Sequence, residues 1–267
     1  MSSLISRLLV SAVGVPLVLG MLWLGGWWLF GLAAIAALVA VHEFVTMARA
    51  LRPLAPAIYV GVLLALVAAS TAGIAWMLGG LLATFVLAFE LNAFSTTRAP
   101  STVAIAATVL GAAWIGFGLG HLLLLRQEHH EARVLAFTVL LTVWAADTFA
   151  YFAGRLFGRH KLAPSLSPGK TWEGFIVGSL AGVFVSFVTL YDTRDTYLSS
   201  WQAIVLGLVV VLASAAGDLF ESMLKRDMEV KDTGRLLGGH GGMLDRVDAL
   251  LFAAPAAFFL VLGFGHS

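Results

Sequence analysis

The sequence predicts an all-α, polytopic integral membrane protein with about nine transmembrane helices and a cytoplasmic N-terminus. Its 267 residues are 60% hydrophobic and only 12% charged, with a mean hydropathy of +0.95. Uncharged apolar runs repeatedly exceed the ~18 residues that a bilayer-spanning helix needs. The 16 basic and 15 acidic side chains gather in short clusters between those runs. They are too few and too clustered to clothe a soluble core of this length.

The first span, near 8–24, has the basic start and apolar stretch of a leader, but continues into the second without a persuasive cleavage site. It therefore reads as a retained helix. Gly25 and Gly26 turn the chain into the second span, near 27–46, and "STAG" at 70–73 separates spans near 54–71 and 74–90. Five more follow, near 102–125, 133–153, 172–191, 201–224 and 247–264. With this order, thirteen of the sixteen Lys and Arg residues fall on the side of the N-terminus. Only Arg126, Arg133 and Arg194 lie opposite, so the positive-inside bias puts the N-terminus in the cytoplasm and the C-terminus outside. No repeat, linker or soluble insertion interrupts the pattern. One membrane domain over 1–267 is the economical reading, with polar catalytic loops near 154–174 and 218–248 on the cytoplasmic face.

Composition also excludes functions. The absence of cysteine rules out disulfides, iron–sulfur clusters and cysteine-ligated zinc, so any metal must sit on oxygen or histidine. The net charge of +1 is dispersed along membrane-flanking loops, which excludes nucleic acid as a partner.

The strongest local signal is "KDTGRLLGGHGGMLDRVD" at 231–248, a polar knot in an apolar chain. Before it, "SAAGDLFESMLKRD" places Ser214, Asp218, Glu221 or Ser222, and Lys225 on one helical face. An ionised Asp218 facing lipid would cost at least ~2.5 kcal/mol near the bilayer centre, so it needs protein, water or a cation. A Glu221–Lys225 helix pair is the blander reading, and it explains Glu221 better than Asp218. After the knot, Asp245 and Asp248 share a face, with Arg246 turned aside. Either they flank a hard cation such as Mg²⁺ or they answer the helix dipole. Between these helices "GGHGG" is a hinge or an anion cradle, in which His240 and the amides of Gly241 and Gly242 face a phosphate.

A second cluster, "SLSPGKTWEG" at 165–174, has the GKT ending of a phosphate-binding P-loop, but Pro164 stands where its first glycine belongs. Ser167 and Pro168 suit the N-cap and first residue of the seventh span. Capping leaves Lys170 and Glu173 unexplained. Upstream, Trp144, Asp147, Tyr151 and Arg155 share a face, so Asp147 is either a metal ligand or a partner for Arg155. "HEFVT" at 42–46 starts like a zinc-protease helix, but Thr46 replaces the second histidine. His129 and His130 read as a solvated turn.

These residues resemble the phosphatidate cytidylyltransferase family, also called CDP-diacylglycerol synthases. The family signature, S-x-hydrophobic-K-R, four residues, K-D and a small residue, then H-G-G-hydrophobic-x-D-R-hydrophobic-D, is met in register. Ser222, Lys225, Arg226, Lys231, Asp232, Gly234, His240, Gly241, Gly242, Asp245, Arg246 and Asp248 occupy its places. Its second motif, S-P-x-K-T-x-E-G, is met by Ser167, Pro168, Lys170, Thr171, Glu173 and Gly174. Gly238 departs from the proline more usual there.

The resemblance implies transfer of CMP from CTP to phosphatidic acid, giving CDP-diacylglycerol and pyrophosphate at the cytoplasmic surface of the plasma (inner) membrane, with Mg²⁺ and a homodimer. On that reading Asp218 and Asp245, with Asp248, hold one or two cations that bridge the CTP phosphates. Lys225, Arg226, Lys231 and the HGG backbone neutralise the triphosphate, and Lys170 with Arg246 receive the lipid phosphate. The first alternative is a CTP-dependent transferase acting on another lipid phosphate or a polyprenol. A cation transporter would also embed carboxylates, yet has no need of the basic HGG loop.

Overall fold

The computed structural model describes residues 3–94, 101–127, 131–234 and 241–265, the first nine of these as helix backbone. His240, Arg235, His129 and His130 lie outside the described residues. Nine apolar helices run through the described chain: α1 (Ser3–Leu24), α2 (Gly26–Met47), α3 (Ala55–Thr71), α4 (Ile74–Ala93), α5 (Ser101–Leu125), α6 (Ala132–Phe157), α7 (Trp172–Thr189), α8 (Ser200–Asp227) and α9 (Leu244–Gly263). Seven of them, α2 and α4 to α9, are long and apolar enough to cross a bilayer. The described part of α1, Ala12–Leu24, and α3 are shorter apolar helices.

The chain forms two compact units, Met1–Gln127 with Asp227–Val247, and Glu128–Arg226 with Asp248–Ser267. In the first unit α3 packs against α4, where Gly61 faces Thr84 and Gly80 faces the Ala65 backbone too closely for any side chain. A π turn at Ala113–Phe117 interrupts α5, and its Trp114 meets Phe44 of α2 edge to face, 6.4 Å between centroids. Arg126 reaches back across the chain: its Nε donates to the Leu22 carbonyl at 2.9 Å and its Nη2 to that of Trp23 at 3.1 Å. It thereby satisfies carbonyls that the end of α1 leaves without helical partners.

In the second unit, small residues set the spacing. Gly174, Gly178, Gly182 and Ser186 form the buried stripe of α7, and Gly178 lies against Ala146 and Ala150 of α6. The opposite face of α7, with Ile176, Leu180, Phe184 and Val188, is exposed, as suits a helix that meets lipid there. Gly207 of α8 abuts Val183 and Ser186, and the Ser186 hydroxyl donates to the Ala203 carbonyl at 2.7 Å. Gly217 lets α8 approach the Asp248 carbonyl and Phe252 of α9.

One local expectation is corrected. Ser167 and Pro168 do not start a helix: Ser167–Thr171 forms β2, antiparallel to β1 (Lys161–Ala163), with Lys161 opposite Thr171 and Ala163 opposite Ser167. In this two-stranded ribbon Pro168 costs no interior ladder bond. Thr171 is the N-cap of α7 instead, its Oγ1 accepting from the Gly174 amide at 3.2 Å.

Close packing at glycine makes opposite predictions at two sites. At Gly178 a new Cβ would stand 2.5 Å from the Ala146 carbonyl oxygen, so Gly178→Ala is expected to destabilise by ~1–3 kcal/mol. At Gly79 nothing lies within 4 Å, so Gly79→Ala is expected to stabilise α4 by up to ~1 kcal/mol. Thermal unfolding in detergent, followed by tryptophan fluorescence, compares the two.

Candidate active site

The second unit gathers carboxylates contributed by three helices. Asp147 comes from α6, Asp218 from α8 and Asp248 from α9, and each is near enough to feel the charge of the other two. The narrow contact at Gly217 is what allows this, because it draws the backbone beside Asp218 against the backbone of Asp248. Lys170, at the end of the hairpin, puts its Nζ 2.6 Å from Asp218 Oδ2 and also offsets Asp147. Two of the three carboxylates thus answer to one ammonium. Asp248 is 8% exposed, whereas Asp147 lies nearer the protein surface.

A second charged pair lies one turn along α8. Lys225 Nζ donates to Glu221 Oε2 at 2.9 Å, the helix pair that the sequence offers as its blander reading, and Glu221 also acts electrostatically on Asp248. Arg226 Nε donates to the Leu166 carbonyl at 3.3 Å, fastening α8 to the hairpin turn. Glu173 serves the loop rather than the carboxylate cluster: it accepts from the amides of Arg159 and His160, and His160 Nδ1 lies 2.6 Å from its Oε1. Arg155 Nη1 donates to the Tyr151 hydroxyl at 3.0 Å, so Asp147 is grouped with Lys170 and Asp218.

The first unit holds the other half of the sequence motif. Lys231, Asp232 and Arg246 are exposed. Asp245 Oδ2 accepts from the Thr233 amide at 3.1 Å, the Thr233 hydroxyl at 2.9 Å and the Gly242 amide at 2.7 Å. The Gly242 N–H is therefore engaged within its own loop. Gly241 takes a positive φ of 78°, and a Cβ there would press on Asp245. Glu43 of α2, which sequence reasoning passed over with the broken zinc pattern, is 4% exposed and accepts from the amides of Met243 at 2.9 Å and Leu244 at 2.8 Å.

Among the described residues, no three Asp, Glu or His side chains converge tightly enough to enclose a metal ion on their own. The oxygen donors of Asp147, Asp218 and Asp248, with their excess negative charge, instead suit a hard divalent cation that keeps waters and takes substrate phosphates as further ligands. Lys170 and Lys225, each already on a carboxylate, are cations that an incoming phosphate could share.

Comparison with known proteins bears on what such a site does. The family described as "Cytidylyltransferase family" matches residues 5–264. A protein of Staphylococcus haemolyticus named phosphatidate cytidylyltransferase is 32% identical over 260 residues, covering 96% of this chain and 98% of that protein. Proteins of the same name from Haemophilus influenzae and Mycobacterium bovis are 43% identical over 139 residues and 38% over 164. These two alignments cover 48% and 50% of the relatives' lengths, and 49% and 59% of this chain.

The charge imbalance in the second unit is open to test. Lys170→Met leaves the carboxylates unopposed and is expected to lower the unfolding temperature. Adding Asp218→Asn should recover part of the loss, with a coupling on the order of 1 kcal/mol. Thermal unfolding of both single variants and the double variant measures it; strictly additive effects would contradict the pairing.

Proposed function

The chain belongs to the cytidylyltransferase family and is a membrane-embedded nucleotidyltransferase, and we propose that its reaction is the transfer of CMP from CTP to phosphatidic acid. A phosphate oxygen of the lipid attacks the α-phosphorus of CTP, a new P–O–P link forms, and the bond to the β-phosphate breaks. CDP-diacylglycerol and pyrophosphate result. The observation that carries this reading is the cluster of Asp147, Lys170, Asp218 and Asp248, a set of hard oxygen donors beside a phosphate-seeking ammonium in an apolar protein. The lipid phosphate is already a nucleophile, so no side chain need form a covalent intermediate. What the protein must supply is approach of two anions and stabilisation of the charge that develops on the leaving group.

In this proposal Asp218 and Asp248, with Asp147, would hold Mg²⁺; Asp245, which the sequence reading places first beside Asp218, instead spends its Oδ2 on Thr233 and Gly242. When bound, that ion would neutralise and polarise phosphate oxygens. Lys170, held on Asp218, is positioned to receive the lipid phosphate. Lys225 and Arg226 offer charge to the triphosphate from the end of α8. The loop of the first unit carries the remaining motif residues, to which the resemblance assigns nucleotide and phosphate contacts: Lys231, His240, Gly241 and Gly242 for CTP, Arg246 for the lipid. Asp232 and Ser167 belong to the same motifs. Thr171 and Glu173 act through the fold, one capping α7 and the other holding the Arg159–His160 turn.

The positive-inside bias supports a cytoplasmic N-terminus and a cytoplasmic reaction face in the plasma membrane. The homodimer that the resemblance implies is checked by the mass of the detergent-solubilised protein.

The test is transfer of label from CTP into lipid by purified protein given phosphatidic acid and Mg²⁺. Chelation is expected to abolish transfer, and excess Mg²⁺ to restore it. Asp218→Asn should lower kcat by at least ~10²-fold while the protein remains folded. Transfer to polyprenyl or ether-lipid phosphates but not to phosphatidic acid would replace the proposed acceptor.

A further inference from the structure

The motif loop of the first unit is tied to a buried carboxylate nearly two hundred residues upstream. We infer that Glu43 is a positioning residue for the nucleotide-contacting loop, fixing the backbone where the loop enters α9 and resting against the Thr233 side chain at its other end. The inference rests on the proposed role of that loop in binding CTP.

Glu43 stands in the last turn of α2, among the buried side chains Ala40, Val41, Phe44 and Met47. Buried carboxylates persist where donors are supplied. Here Oε1 takes the Met243 amide, just before α9, and Oε2 the Leu244 amide, the first N–H of α9, which has no helical partner of its own. Oε2 also lies 3.3 Å from the Thr233 hydroxyl. That hydroxyl has a single proton and stands closer, at 2.9 Å, to Asp245 Oδ2. Thr233 is thus the joint between two carboxylates: its hydroxyl and amide go to Asp245, and its oxygen rests against Glu43. The glycines of the motif are shaped to the same group. A Cβ at either Gly234 or Gly242 would overlap the Glu43 carboxylate, and at Gly242 it would overlap the Thr233 hydroxyl as well. Gly242, which the motif reading gives to phosphate approach, and Gly234, the motif's small residue, therefore make room for Glu43.

A negative charge at the N-terminus of α9 also answers the helix dipole from within the protein. The Met243 and Leu244 amides, which a free helix start would offer to an anion, are engaged by Glu43. The substrate phosphates are left to side-chain cations and to whatever geometry the tethered loop presents. Glu43 acts on that geometry and touches no reacting atom.

The test compares wild type, Glu43→Gln, Thr233→Val and Thr233→Ser as full-length protein in detergent. Three quantities are read: the Kd for CTP with Mg²⁺ by calorimetry, KM and kcat for CTP and for phosphatidic acid, and amide exchange of the peptide containing Met243 and Leu244. Glu43→Gln turns one acceptor into a donor that faces backbone N–H groups. It is expected to weaken CTP binding about tenfold, the effect of losing one charge-assisted hydrogen bond. Exchange at Met243 and Leu244 should accelerate, the KM for phosphatidic acid should stay within about twofold, and the unfolding temperature should remain near wild type. Thr233→Val should share this signature, and Thr233→Ser, which keeps the hydroxyl, should not.

Faster exchange with unchanged CTP affinity would make Glu43 a purely structural residue and overturn the inference. Unchanged exchange would overturn it as well. Should Glu43→Gln fail to fold, Glu43→Asp decides the question: it keeps the charge but withdraws it from the Met243 and Leu244 amides, so it should weaken CTP binding and speed their exchange, and unchanged CTP affinity with faster exchange would overturn the inference. A wild-type protein that binds CTP but does not convert phosphatidic acid would overturn the proposed acceptor, and the affinity comparison would still judge Glu43.

Discussion

An ionised carboxylate in hydrocarbon costs at least ~2.5 kcal/mol near the centre of a bilayer, and this chain places several in or beside its apolar helices. Each is met in a specific way. Asp218 has Lys170, Glu221 has Lys225, and Glu43 has two backbone amides. Asp245 has the amides of Thr233 and Gly242 together with the Thr233 hydroxyl. Asp147 and Asp248 feel Asp218 as well as each other, so the second unit keeps an excess of negative charge. An excess of this kind is tolerable where water reaches it and a cation can be taken up. In the first unit the same cost is met by N–H and O–H donors, and the product is an anchored start to α9 rather than a charged cluster.

Helix spacing makes those arrangements possible. Without a hydrophobic force to drive helices together in lipid, close approach depends on small side chains and hydrogen bonds. Gly178 lets α7 lie against α6, Gly207 lets α8 lie against α7, and Gly217 lets α9 lie against α8. The carboxylate cluster is carried on helices whose separation is set by the absence of side chains at those positions. A methyl group at one of them acts on the site without touching any charged atom.

Much of this was legible in the sequence, for physical reasons. The seven described helices long enough to span coincide with apolar runs, since hydrophobicity is what holds a helix in lipid. The Glu221–Lys225 pair follows from i, i+4 spacing. Asp218 and Asp248 stood out because charge is rare in such a chain, and the structure groups them with Asp147 and Lys170. The hairpin was not legible: Ser-Pro before an apolar run is also a helix start, and only the pairing of Lys161 with Thr171 distinguishes the two. His42 and Glu43 open a metal pattern that Thr46 breaks, and local spacing assigns Glu43 nothing else. Its actual partners are backbone groups 200 and 201 residues later, which no local pattern reveals. Asp245 stood out as a motif carboxylate, but nothing in its spacing discloses that Thr233 and Gly242 hold one of its oxygens.

That separation bears on how the protein is made. At a synthesis rate of ~5–20 residues per second, Glu43 leaves the ribosome roughly 10 to 40 seconds before Met243 and Leu244 exist to receive it. During that interval α2 is a membrane helix bearing a carboxylate whose native donors have not been synthesised. The first unit closes only when nearly the whole chain is present. The tether between α2 and the start of α9 is therefore a late contact: a chain cut short before residue 243 lacks both backbone amides that hold the Glu43 carboxylate.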